Sequence, residues 1–261
     1  MKIQEIIQII EAYAPRELQA DFDNSGLICG NAEQEVSSIL LCIDVTEDVV
    51  REAVQKGHNL IISHHPLIFK GLKQITPSTY VERSIILAVK NEIAIYAAHT
   101  NMDVVARGVS GRMADKLSLK NQEILQPEGE TPYPHGYGII GTLDTPVDPF
   151  SFLQHVKETF HCKTIRYTTP PDQQVQRVAV CGGAGASFLQ KAIQKRADIY
   201  ITGDFKYHDF FLTENRIILA DIGHYESEQF TKDIFYELVT KKMPKFAVQF
   251  SDINTNPINY L

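Results

Sequence analysis

Two adjacent histidines, His64 and His65, close the short apolar run in NLIISHHPLIF. The run reads as a buried strand. A strand ending in two imidazoles presents nitrogen ligands or bases at a sheet edge, where open α/β folds keep their chemistry. Adjacent residues of an extended chain point to opposite sides, and Pro66 biases His65 toward extended backbone. The two rings are therefore expected to diverge, which suits two neighbouring targets.

Two further segments carry groups of the same kind. His99 follows the apolar run in YAAHTNMD, with Asp103 four residues later. His224 follows RIILADI in DIGHYESE, with Glu228 four residues later, a spacing that shares one face of a helix. Asp44 also stands at a strand end and is a further candidate. In a doubly wound sheet these strand ends form one crevice. Histidines and carboxylates together suit zinc, iron or manganese, without selecting among them. His64, His65, Asp103, His224 and Glu228 are more groups than one catalytic zinc takes from protein. Two divalent ions about 3.5–4 Å apart would use them, with Glu228 as the bridge and a water between the ions as a nucleophile.

Each group alone has an ordinary reading. A single histidine at a strand end is usually a hydrogen-bonded structural residue, and His99 reads as a group that orients a ligand or water or exchanges a proton. Asp103 suits a helix cap, and Glu228 a first turn. The doublet resists this, because two adjacent buried imidazoles are costly to hide without partners. In ITGDFKYHD, Asp204 and His208 follow another strand. His208 is a second acid/base candidate, and Lys206 with His208 suits either a substrate anion or bare surface. The glycines of CGGAGAS (181–187) suit an anion at a helix N-terminus or a tight turn needing positive φ. DFDNSGLICG (21–30) reads as a turn-rich loop between helix and strand. No serine or cysteine has a base at recognisable spacing.

Composition narrows the classes. The 261 residues are 44% hydrophobic and 22% charged, with a formal charge of −7. That balance is ordinary for a soluble globular protein and, with no basic stripe, makes nucleic acid an unexpected partner. No apolar stretch reaches membrane-span length. The opening MKIQEIIQIIEAY, with Glu5 and Glu11 in its apolar pattern, reads as an amphipathic helix and not a signal peptide. Cys29, Cys42, Cys162 and Cys181 form no paired motif, which points to a reducing cytoplasm.

The elements that position these groups alternate. SSILLCIDV, NLIIS and IAIYAAH read as strands. The helix TEDVVREAVQKG takes Thr46 as N-cap and Gly57 as stop, and TYVERSIILAVKNE and GVSGRMADKLSL are further helices. After a stretch at 121–135 with Pro127, Gly129, Pro132 and Pro134, the alternation resumes. YGIIGTLD, KTIRYTT, QRVAVCGG, DIYITGD, RIILADI and FAVQFSD are strands. PFSFLQHVKETF, ASFLQKAIQKRA, a segment through His208 and Phe211, and HYESEQFTKDIFYELVTKK are helices. The pattern predicts an α/β protomer of two lobes with mostly parallel sheets flanked by helices. Residues 1–125 with 230–261 form the first lobe and 126–229 the second.

In this order, DNSGLICG, SHHPLIF, AAHTNMD, CGGAG, ITGD and DIGHYESE resemble the Nif-three-like dinuclear metal-centre family, whose members are often labelled GTP cyclohydrolase I type 2 homologues. The resemblance covers nearly the whole chain. It implies that His64, His65, Asp103, His224 and Glu228 hold two metal ions in a cleft between the lobes, and that the protomer assembles into a toroidal homohexamer. Some members carry a large insertion between the halves, for which this chain has only the link near 121–135. A cytoplasmic metal-dependent hydrolase of a small molecule, a nucleotide or other phosphate compound, is the leading expectation. A non-catalytic metal-binding scaffold or partner-binding protein is the alternative, and a ring that encircles nucleic acid is a third option against which the acidic charge counts.

Overall fold

A computed structural model describes residues 1–130, 133–170 and 173–261. Pro132, one of the residues that mark the expected link, lies outside them. In chain order the elements are α1 (Ile3–Glu11), β1 (Gly26–Cys29), β2 (Ile39–Cys42), α2 (Glu47–Lys56), β3 (Leu60–Ser63), α3 (Tyr80–Lys90), β4 (Ala94–Ala97), α4 (Thr100–Val104) and α5 (Val109–Lys116). There follow β5 (Lys120–Gly129), β6 (His135–Val147), α6 (Pro149–Thr159), β7 (Arg166–Tyr167), β8 (Val175–Ala184), α7 (Leu189–Gln194), β9 (Ile199–Gly203), β10 (Ile218–Asp221), α8 (His224–Glu228), α9 (Thr231–Lys242) and β11 (Val248–Phe250). No helix among the described residues is long and apolar enough to cross a membrane.

The chain forms two compact units, 1–102 with 231–257, and 103–230 with 258–261. In the first, the sheet order is β1-β4-β3-β2-β11. All pairs are parallel except the edge pair β1–β4. β2, β3 and β4 are buried along their whole length, as continuous apolar runs are when both faces of a sheet are covered. α2 starts where Thr46 accepts the Val49 amide and stops where Gly57 takes φ 75°, which glycine adopts without strain. Ser63 pairs with Cys42 on one side and Ala97 on the other, so β2, β3 and β4 end level. Asp44, His64, His65 and His99 all leave that one edge.

The second unit has the order β5-β6-β8-β9-β10-β7. Its sheet is mixed and not mostly parallel. Only β8–β9 and β9–β10 are parallel, while β5–β6, β6–β8 and β7–β10 are antiparallel. The stretch expected to link two lobes is largely β5, and residues 103–125 belong to this second unit. β5 is an edge strand, exposed from Lys120 to Glu123 and fully buried only at Leu125. An edge strand tolerates polar residues and a proline, so its composition imitates a linker. The expected single helix from His224 breaks at Gln229–Phe230 into α8 and α9, and the segment through His208 is a 3-10 turn (Tyr207–Thr213).

Candidate metal centre

In the first unit the three histidines at the sheet edge are each tied through Nδ1. His64, fully buried, donates from Nδ1 to the Ala98 carbonyl at 3.0 Å. His65 donates from Nδ1 to Asp44 Oδ1 at 2.7 Å. His99 donates from Nδ1 to Asp23 Oδ1 at 2.8 Å. A carbonyl or carboxylate oxygen accepts and does not donate, so Nδ1 of each ring carries a proton and Nε2 is the nitrogen turned away from that bond.

The doublet does not diverge as extended backbone requires. The chain bends immediately after Ser63. The Ser63 hydroxyl donates to the His65 carbonyl at 2.8 Å across the bend. The two rings therefore lie 4.8 Å apart at 47°, each 5.2 Å from the His99 ring. His64, His65 and His99 each offer one ring nitrogen, and these nitrogens lie within 4.8 Å of one another.

Asp23 was legible only as part of a turn-rich loop. It is wholly enclosed and accepts from His99, from the Asn24 amide at 2.7 Å, from the Ser25 hydroxyl at 2.9 Å, and from the Thr100 amide and hydroxyl at 3.0 and 2.5 Å. Burial works to raise its pKa. The hydrogen bond and charge of His99, with the Thr100 and Asn24 donors, outweigh it and hold the carboxyl well below the usual carboxylate range. Asp–x–Ser, with its local hydroxyl-to-carboxylate bond, is the one sequence signal for this residue, and it also fits any turn.

In the second unit β8, β9 and β10 end level, with Ala184 beside Gly203 and Thr202 beside Asp221. His224 donates from Nδ1 to Asp204 Oδ2 at 2.8 Å, and its Nε2 lies 3.1 Å from Glu228 Oε2. The four-residue spacing thus does what it promised, although α8 is only five residues long. Asp221 anchors both loops of the pair. It accepts from the Phe205 amide and the Gly223 amide, each at 3.0 Å, and pairs with Arg166. Burial works against a charged His224, but its hydrogen bonds to Asp204 and Glu228 and their charges raise its pKa to about 11. The same hydrogen bond lowers the Asp204 carboxyl against its burial. A protonated His224 thus joins two carboxylates through its two N–H groups, Asp204 at Nδ1 and Glu228 at Nε2.

Asp103 and Glu228 share a neighbourhood in this unit. Burial pushes the Cys181 thiol up to about 12, and the charges of Asp103 and Glu228 both add to it. A thiol so placed is inert at neutral pH. Cys162 is likewise pushed to about 12, chiefly by burial, and all four cysteines are free.

The CGGAG glycines serve packing here. Gly182, Gly183 and Gly185 donate to Ser110, Ser227 and Thr202 hydroxyls, so these amides are already occupied by protein. Gly183 has φ +63°, and a Cβ on it would lie 2.3 Å from Glu228 Oε1. The loop leaves the room in which Glu228 stands. His208 is exposed on the 3-10 turn, its ring against Tyr207 and Phe211, and Lys206 is exposed beside it.

The donor set suits a borderline divalent cation: imidazole nitrogens already oriented through Nδ1, and carboxylate oxygens beside them. The model of the Duf34/NIF3 (NGG1p interacting factor 3) family matches residues 1–257. A "GTP cyclohydrolase 1 type 2 homolog" of Clostridium acetobutylicum is 35% identical over 231 residues, 87% of this chain and 85% of the relative. One of Streptococcus pneumoniae is 32% identical over the full length of both chains. Among solved structures, the Bacillus cereus protein related to NIF3 superposes with a TM-score of 0.90 at 27% identity, covering 100% of this chain and 99% of that one.

Proposed function

The chain belongs to the Duf34/NIF3 family, and we propose that it is a dinuclear metal-dependent hydrolase of a small molecule, a nucleotide or other phosphate compound. In this reading His64, His65, Asp103, His224 and Glu228 jointly hold two divalent cations, with Glu228 between them. The observation that carries it is the common anchoring of His64, His65, His99 and His224 through Nδ1, the orientation that metal-ligating histidines adopt. Two cations so held would polarise a phosphoryl or carbonyl oxygen and make a water acidic near neutrality. The protein's own contributions are three. Asp44 and Asp204 keep the His65 and His224 rings aimed. His99, backed by Asp23, takes or returns a proton at Nε2. Lys206 and His208 offer donors to a substrate anion.

The test is metal content after purification without chelators. Wild type is expected to hold about two ions per chain. His64→Ala, His224→Ala and Glu228→Gln are each expected to lose at least one. Wild type without stoichiometric metal, or variants at full occupancy, would sink the assignment. The names of the relatives suggest a narrower reaction, hydrolytic opening of the GTP imidazole ring with loss of formate. Metal-loaded protein incubated with GTP and releasing no formate would remove that reaction and leave phosphoester hydrolysis standing.

The family description as an interacting factor favours a second reading, a metal-stabilised partner-binding scaffold. A turnover screen across nucleotides, phosphodiesters and cyclic amides separates the two. No turnover in any metal form, with a specific protein partner recovered, selects the scaffold. Either reading is compatible with assembly as a homohexamer.

A further inference from the structure

We propose that the C-terminal strap, residues 251–257, aims His65 through Thr255, so that Thr255 is a positioning residue for the metal centre. The inference rests on the metal-binding reading above. The Thr255 hydroxyl donates to Asp44 Oδ2 at 2.7 Å, while Asp44 Oδ1 accepts from His65 Nδ1 at 2.7 Å. Hydroxyl, carboxylate and imidazole form one line of hydrogen bonds across residues 211 apart in the chain. A carboxylate held at one oxygen still turns about its last torsion, which is broad for aspartate. Held at both oxygens, its plane is fixed, and with it the direction from which it accepts the imidazole proton.

Asp23 and Asp44 hold both their oxygens in different ways. Asp23 is completely enclosed and has donors on both oxygens from its own loop and from Thr100. The Asp44 side chain is 34% exposed. Thr255 supplies from the far end of the chain the second hold that local burial gives Asp23.

The strap is fastened independently of Thr255, so its hydroxyl arrives in a defined place. The Ser251 amide donates to the Leu41 carbonyl at 2.8 Å, continuing the β11–β2 pairing by one residue. Glu52 on α2, buried, accepts from the Ser251 hydroxyl at 2.5 Å and from the Asp252 amide at 2.9 Å. Lys56 joins Glu52 and Asp252 at 2.7 and 2.6 Å. The Asn256 amide donates to Asn254 Oδ1 at 3.0 Å, curling the chain around Thr255. The strap is therefore secured at Ser251 and Asp252 as well as at Thr255.

The experiment uses full-length, metal-free protein labelled with 15N at histidine, as wild type, Thr255→Val and Thr255→Ser. Long-range 1H–15N spectra report which ring nitrogen carries the proton, and the signal lost in His65→Gln identifies His65. Wild type and Thr255→Ser are expected to show one His65 tautomer, protonated at Nδ1. Thr255→Val is expected to show a mixture, with its other histidine signals unmoved as evidence of an intact fold. Zinc affinity, measured by competition with a chromophoric chelator, should fall about three- to tenfold in Thr255→Val, the worth of one net hydrogen bond, and return in Thr255→Ser. A Thr255→Val protein with wild-type His65 signals and wild-type zinc affinity overturns the proposal. A changed His65 tautomer in a protein whose wild type binds no zinc would uphold the positioning and remove the metal reading instead.

Discussion

At the scale of residues, the site is a set of imidazoles whose freedom has been removed one hydrogen bond at a time. The charges that remove it make the metal-free protein sensitive to pH from both sides. Asp23 and Asp204 are held below their ordinary 3.8 in the folded chain, so their contribution to stability is present above that value. It is lost as pH falls through the lowered folded values. His224 runs the opposite way. Its contribution is complete below 6.5 and is lost as pH rises toward about 11. Thermal midpoints in excess chelator are therefore expected to be highest between about pH 4 and 6.5. Asp23→Asn should flatten the acid limb, and His224→Gln the alkaline limb. Unchanged limbs would show that these pairs are too screened to matter. If His224 is a metal ligand, uptake displaces its Nε2 proton, and affinity measured by competition with a chelator should rise with pH.

At the scale of elements, level strand ends do the gathering in each unit. The sequence showed which strands end in histidines and carboxylates, because buried parallel strands are unbroken apolar runs such as ILLC, LIIS and AIYA. It showed the limits of α2, because Thr46 and Gly57 are local signals. It did not show β5, whose polar face and Pro127 look like a link, nor the break between α8 and α9. The glycine loop belongs to this scale as well. Gly183→Ala forces a Cβ to 2.3 Å from Glu228 Oε1 at a backbone φ of +63°. The expected result is a folded protein, destabilised by about 1–3 kcal/mol in chemical denaturation, whose Glu228 is displaced and whose metal content falls. Full metal content in that variant would mean that Glu228 tolerates the shift or is not a ligand.

At the scale of the whole molecule, each unit has a hydrophobic core of its own. In the first unit that core packs around Val49, Ile61, Ile85 and Ile95. In the second, one cluster packs around Phe152, Phe160, Val178 and Ile201, and another around Leu189, Tyr200 and Leu219. Units with separate cores need not unfold together. If the five proposed ligands share two ions, the metal stabilises the state in which both units are folded. Calorimetry is then expected to show one transition in loaded protein and a lower, broadened or split one after chelation. The same profile with and without chelator would argue against shared ligands. Native mass spectrometry of loaded protein tests the assembly, for which six 29.4 kDa chains are expected.

The sequence by itself determined the residue types of the candidate site and the strands that end in them. These are carried by residues a few positions apart: an apolar run followed by His64–His65, His224 one turn from Glu228, a cap on Thr46. Only the tertiary structure decided which nitrogen of each histidine is tied to the protein through a local oxygen. The partners that settle it, Ala98 for His64, Asp44 for His65, Asp23 for His99 and Asp204 for His224, lie 34, 21, 76 and 20 residues away. A hydrogen bond is fixed by distance and direction in space, and nothing in the spacing along a chain encodes either at that range. The same holds for the doublet with which the site begins. Alternation along a strand argues that its rings part. The bend after Ser63, a consequence of where β3 stops against β2 and β4, brings them together.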